Sequence, residues 1–77
     1  MAAIQQALVI LRRQQVEART GLSRSTIYAR MRRNPKRPAD YDPDFPRPVS
    51  VGGRAVGWIE AEIDAWISAQ VAKSRGA

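Results

Sequence analysis

Cysteine and histidine are both missing from this 77-residue chain. Their absence excludes disulfides, thiolate nucleophiles, imidazole bases and every zinc site built on Cys or His. The seven acidic residues offer no substitute. None pairs with a base, none forms a metal-ligand cluster, and no glycine-rich loop is shaped to cradle a phosphate, so neither an enzyme nor a cofactor or metal protein is expected. Long apolar runs are absent as well. Ala7 to Leu11 is a run of five, and the charges of Arg12 and Arg13 follow it instead of preceding it. That order fits neither a secretory signal nor a membrane span, and the expected location is cytoplasmic. Aromatic residues are few, two Trp, two Tyr and one Phe, and a chain of this length has room for one domain with a thin core.

What the chain does have is positive charge, unevenly placed. The net charge is +6. The stretch from Arg12 to Arg37 holds nine of the thirteen basic residues against one acidic residue, Glu17, so it carries +8 and the remainder −2. Eleven of the thirteen are arginine, whose planar fork binds phosphate and guanine through two bonds at once. This asymmetry implies a polyanionic partner and no membrane.

Inside the basic stretch, Val16 to Arg33 reads V-E-A-R-T-G-L-S-R-S-T-I-Y-A-R-M-R-R. Val16, Leu22, Ile27 and Met31 at helical spacing describe two short helices, about Arg13 to Thr20 and Ser23 to Arg33, joined by a turn at Gly21. Gly21 suits the left-handed end of the first helix, and Ser23 suits the N-cap of the second. Leu22, Ile27 and Met31 would face the first helix. Ser25, Tyr28, Ala29 and Arg32 then point the other way, as in a helix-turn-helix that meets a DNA major groove. Two amphipathic helices with arginines on a merely solvated face would have the same outline.

Around this unit the chain divides simply. Residues 1–7 are expected to fray, and Leu8 to Leu11 to form a short extended segment on the core or paired with the sheet. Asn34 to Pro48 contains all five prolines and is a loop. Asp40, Asp42 and Asp44 alternate in it like the start of a calcium loop, but Phe45 replaces the required Gly and Val51 the required Glu, so the match fails. An acidic loop kept in solvent or off DNA, anchored by Tyr41 and Phe45, is expected instead. Val49, Val51, Val56 and Trp58 flank Gly52-Gly53 as a hairpin with a two-residue turn, which would pair Val51 with Arg54 and Val49 with Val56. Its small face would be Ser50, Ala55 and Gly57, and its basic tip Arg54 would make it a wing for phosphates or a minor groove. A last helix from Ile59 to about Lys73 carries Ile59, Ile63, Trp66 and Ile67 on one stripe, with a tail over 73–77. Its acidic start and basic end suit the helix dipole and place it behind the DNA-reading unit, and both Trp58 and Trp66 read as core.

T-G-L-S-R-S-T-I-Y-A-R at Thr20 to Arg30, F-P-R-P-V at Phe45 to Val49 and G-G-R-A-V-G-W-I-E-A-E-I-D-A-W-I at Gly52 to Ile67, in that order, resemble the AlpA family of small phage and prophage regulators. The resemblance spans Ile10 to Ala72. It implies a winged helix-turn-helix of the MerR and excisionase type, acting as a transcriptional regulator in a bacterial mobile element, with the helix from Ser23 as recognition helix and Gly52 to Arg54 as wing tip. One departure stands out: such proteins usually have a few residues between the second helix and F-P-R-P-V, whereas N-P-K-R-P-A-D-Y-D-P-D intervenes here.

The expectation is therefore a small, mostly helical α+β winged helix-turn-helix of three helices and a hairpin, binding double-stranded DNA. The candidates for bases and adjacent phosphates are Ser23, Arg24, Ser25, Thr26 and Tyr28; Arg32, Arg33, Gly53 and Arg54 are assigned to the backbone. Two other readings stay open: an excisionase-like factor that bends DNA for a recombinase, and a protein-interaction module that holds a recombinase or RNA polymerase through the acidic loop or last helix. A homodimer or cooperative assembly on DNA fits the first two.

Overall fold

A computed structural model of the chain describes residues 8–76; the segment expected to fray, 1–7, lies outside them. Strand β1 (Ile10–Leu11) leads into α1 (Arg13–Thr20) and α2 (Arg24–Met31). The proline-rich loop follows, holding one 3-10 turn (Pro38–Asp40), and then β2 (Val49–Ser50), β3 (Val56–Ile59) and α3 (Glu60–Gly76). The sheet is antiparallel, in the order β1-β3-β2. Three helices and a three-stranded sheet make a small α+β fold compatible with a winged helix-turn-helix.

Each of six segments sends one side chain into a shared core: Leu11 from β1, Val16 from α1, Ile27 from α2, Phe45 from the loop, Trp58 from β3 and Ile63 from α3. Leu22, Met31, Trp66 and Ile67 pack around them. Sealing an indole such as Trp58 removes roughly 150–250 Å² from water, worth about 4–6 kcal/mol at 25 cal/mol per Å². That outweighs the cost of about 1–3 kcal/mol for its buried indole N–H, which has no hydrogen-bond partner among the described residues.

The two short helices form where their caps require. At the start of α1 the Gln15 side chain accepts the Arg12 backbone N–H at 2.9 Å. At its end Gly21 takes φ +74°, and its N–H donates to the Glu17 carbonyl at 2.8 Å. A residue with a Cβ enters that conformation at a cost. Ser23 then caps α2: its Oγ accepts the Thr26 N–H at 3.2 Å and donates to Thr26 Oγ1 at 3.0 Å. The turn between the helices is Gly21, Leu22 and Ser23, and Ile27 closes the angle by burying itself against Val16.

α2 ends at Met31, two residues before the expected Arg33, and Arg32 is already extended (φ −125°, ψ 135°). Pro35 restricts Asn34 and clashes with a helical carbonyl four residues back. The loop also satisfies the helix end, because the Asp42 N–H donates to the Arg30 carbonyl at 2.9 Å. At the other end of the chain, α3 runs to Gly76, so residues 73–76 are helical and not a tail. Nothing before Gly76 breaks a helix, and Lys73 and Arg75 suit its negative end.

The hairpin register differs from the expected one. Val49 pairs with Gly57 and Ser50 with Val56, and the Val51 N–H donates to the Ala55 carbonyl at 3.0 Å. The loop is therefore Gly52-Gly53-Arg54, closed by Ala55 N–H donating to the Gly52 carbonyl at 2.9 Å. One added loop residue moves β2 by one position, and a shift of one exchanges the faces of a strand. Val49 and Val51 lie on the face of Gly57, while Ser50 shares the face of Val56 and Trp58. Gly57 itself is fixed by packing, since a Cβ there would collide with Ile10 Cγ2 on the neighbouring strand. The segment from Leu8 to Leu11 does join the sheet: Ile10 pairs with Ile59, Leu11 with Trp58, and the Glu60 N–H donates to the Val9 carbonyl at 2.8 Å.

Candidate nucleic-acid interface

The outward face of α2 is a ridge between two hollows, and Tyr28 borders both. On one side, a cleft of about 400 Å³ is lined by Arg12, Arg13 and Gln14 at the start of α1, by Tyr28, and by Arg54, Val56 and Trp58 of the hairpin. On the other side, a hollow of about 280 Å³ is lined by Ser25, Tyr28, Ala29 and Arg32 together with Asn34, Arg37 and Asp40 of the proline-rich loop. The hairpin tip and the loop thus share one side chain of α2, Tyr28, each through its own hollow.

Ser23, Arg24 and Ser25 are exposed, and Thr26 is half-buried, with its N–H donating to Ser23 Oγ and its hydroxyl accepting from it. Tyr28 is half-buried, with the Arg24 guanidinium 5.9 Å from its ring centre. A guanidinium over an aromatic face keeps its edge N–H groups free to donate. Arg54, although it lies in the hairpin loop and not on β3, lines the Tyr28 cleft together with Val56 and Trp58. Gly53, with φ +54°, sits exposed at the tip. Arg32 borders the second hollow. Arg33 borders neither; it stacks 5.3 Å from the centre of Tyr41. The same ring receives Arg47, 5.9 Å away, whose Nη2 donates to the Tyr41 hydroxyl at 3.0 Å.

Apart from Asp40, which lines the second hollow, and Glu17, which pairs with Arg13, the acids with side-chain partners bind groups outside this ridge. Arg19, on α1, bridges Glu60 at 2.7 Å and Asp64 at 3.7 Å, tying the acidic start of α3 to α1. Asp42 was expected in a solvated acidic loop, but it is a structural acceptor: Trp66 Nε1 donates to its Oδ2 at 3.0 Å and the Asp44 N–H to its Oδ1 at 2.8 Å. Burial pushes the Asp42 carboxyl up, but those two donors, with the charges of Lys73 and Arg30, outweigh it and hold the group below the usual carboxylate range. Phe45 anchors the loop as expected, fully buried and edge-on to Trp66 at 4.9 Å between ring centres.

Compared with known sequences, residues 9–71 match the family described as Prophage CP4-57 regulatory protein (AlpA). The chain belongs to the AlpA family. It is 50% identical over 62 residues to the Escherichia coli (strain K12) protein named DNA-binding transcriptional activator AlpA, an alignment covering 80% of this chain and 84% of that protein. It is 40% identical over 57 residues to the uncharacterized protein ORF88 of Enterobacteria phage P4, covering 73% of this chain and 54% of the phage protein. No solved structure matches it.

Within this AlpA-family chain the sequence reading missed three groups that the fold brings to the ridge: the Arg12-Arg13 pair, Gln14, and Arg37. The pair was visible as part of the basic run, and Arg13 spends one guanidinium edge on Glu17 one turn along α1. Nothing in the spacing of Arg37 marks it, because only the folding of the loop decides where it lies.

Proposed function

We propose that this chain is a sequence-specific, double-stranded DNA-binding transcriptional regulator of a phage, prophage or other mobile element. The observation that carries the reading is the ridge at Tyr28: a serine-capped helix start, exposed, with arginines from α1, α2, the loop and the hairpin converging on it. The Escherichia coli relative, named DNA-binding transcriptional activator AlpA, supports it.

In this reading α2 enters the major groove. Its first-turn N–H groups and Ser23 favour a phosphate, and Arg24, Ser25, Thr26 and Tyr28 face base edges and the adjacent backbone. Arg32 and the hairpin tip, through Arg54 and the Gly53 backbone, hold the phosphates on either side of the helix. Arg33, stacked on Tyr41, keeps donors at its edge for a phosphate farther along.

Binding and footprinting of the full chain across the DNA flanking its own gene, at two salt concentrations, test the reading. A sharp footprint that weakens as salt rises is expected. Two protected half-sites about one helical turn apart identify two copies on the site, and circularly permuted fragments show whether the duplex is bent. Indifference to duplex DNA at low ionic strength overturns the proposal.

A further inference from the structure

The proline-rich loop between α2 and β2 has two chemically opposite halves. Asp42, Asp44 and Phe45 turn toward α3, where Asp42 holds the Trp66 indole. The first half turns the other way. Arg37 borders two adjoining hollows along α2, one shared with Ser25, Tyr28 and Arg32, the other with Thr26, Ala29 and Arg30. This half is held by its backbone and not by chance. The Arg37 N–H donates to the Asn34 carbonyl at 2.9 Å, the Lys36 N–H to Asn34 Oδ1 at 2.9 Å and the Asp40 N–H to the Arg37 carbonyl at 3.1 Å. Arg30, on α2, pins the turn by donating from Nη1 to the Asp40 carbonyl at 3.0 Å. The Arg37 side chain makes no ion pair or side-chain hydrogen bond among the described residues, and the same is true of Lys36 and Arg32. Asp40 is the acid beside them.

We infer that the Asn34 to Asp40 turn is a second DNA-contacting arm, lying on the flank of α2 opposite the hairpin, with Arg37 and Arg32 on the phosphates of one strand and Arg54 and Arg12 on those of the other. The inference rests on the proposal that α2 reads a major groove. A helix in that groove has a sugar-phosphate strand along each side. The fold places unpaired guanidinium groups on both sides of Tyr28, from segments that belong to different parts of the chain. Two backbone bonds and one bond to the Asn34 side chain already fix the turn, so its backbone has little order to gain on binding and the arm adds contacts at low entropic cost.

The test compares R37A, R54A and R32A in the full chain. Two probes serve: a random-sequence 30-base-pair duplex for the salt dependence, and the DNA flanking the chain's own gene for hydroxyl-radical footprinting. Thermal unfolding of each variant controls for folding, which R37A leaves intact because that side chain holds nothing in the fold. R37A is expected to lower the salt slope by about 0.9, so that raising salt from 50 to 200 mM weakens binding about 3.5-fold less than in the unsubstituted chain. Its footprint loses protection on one strand flank only, R54A loses the opposite flank, and sequence preference is unchanged in both. If R37A keeps the slope and the full footprint while R32A and R54A alter them, the arm is overturned and the reading by α2 stands. If none of the three alters either measurement, the DNA-binding proposal falls with it.

Discussion

α2 and α3 are both half-buried helices on one core, yet their charged residues are used in opposite ways. Two of the three acids of α3 have partners inside the molecule, Glu60 and Asp64 on Arg19, and the loop's Asp42 binds Trp66 next to Lys73. The arginines on and beside α2 are left with unsatisfied donors, apart from Arg30, which the loop backbone engages. Charges neutralised within the fold stabilise it a little, whereas unneutralised charges gathered on one ridge repel each other until a polyanion arrives. The contrast separates a side that holds the fold together from the side that the proposed function assigns to DNA.

The sharpest way to break the supporting side is Phe45→Ala. It empties the contact between the loop and Trp66 and is expected to cost about 3–5 kcal/mol, most of the margin of so small a domain, read by urea or thermal unfolding. A loss under 1 kcal/mol would mean that the loop is not part of the core. On the opposite side, Arg24→Ala should leave unfolding unchanged but cost about 1–3 kcal/mol in specific binding and relax preference at one base pair, measured by binding to a panel of single-base operator variants.

Asp42 sharpens the comparison through pH. Asp42→Ala leaves the Trp66 indole N–H without its acceptor, a loss of about 1–3 kcal/mol. Because the folded carboxyl lies below its unfolded value of about 3.9, its stabilising contribution is complete above that pH and disappears as pH falls through the lower folded value. Asp42→Asn, which cannot titrate, should therefore flatten the fall in melting temperature below about pH 4; an unchanged acid limb would count against the assignment. The smallest effect is expected from Arg19→Ala, about 0–1 kcal/mol, since these bridges are largely solvated. It should reduce stability and leave the salt slope of DNA binding unaltered, in contrast to Arg32→Ala, which should lower that slope by about one unit and leave stability alone.

Much of this division was legible in order along the chain. Gly21 and Ser23 placed the turn and the cap because both act through backbone geometry within three residues. Val16, Ile27, Trp58 and Ile63 announced their burial by period. The hairpin was visible but its register was not. Gly52-Gly53 suits a two-residue turn, and only the closure of Ala55 onto Gly52 reveals that Arg54 is inside the loop. α2 ends two residues short of the expected Arg33: Pro35 bars the helix from continuing, and the donor that takes up the Arg30 carbonyl is the Asp42 N–H, eleven positions beyond Met31, where no local pattern shows it.

By itself the sequence determined the two short helices with their turn and cap, the presence of a hairpin, the family and the excess of positive charge, since caps, periodicity and composition are local or additive properties. The tertiary structure alone decided that Arg12, Arg37 and Arg54 share one ridge with Tyr28, and that Asp42 serves the core. Those placements depend on how a proline-rich segment with no period folds back on two helices at once, and no local preference encodes that.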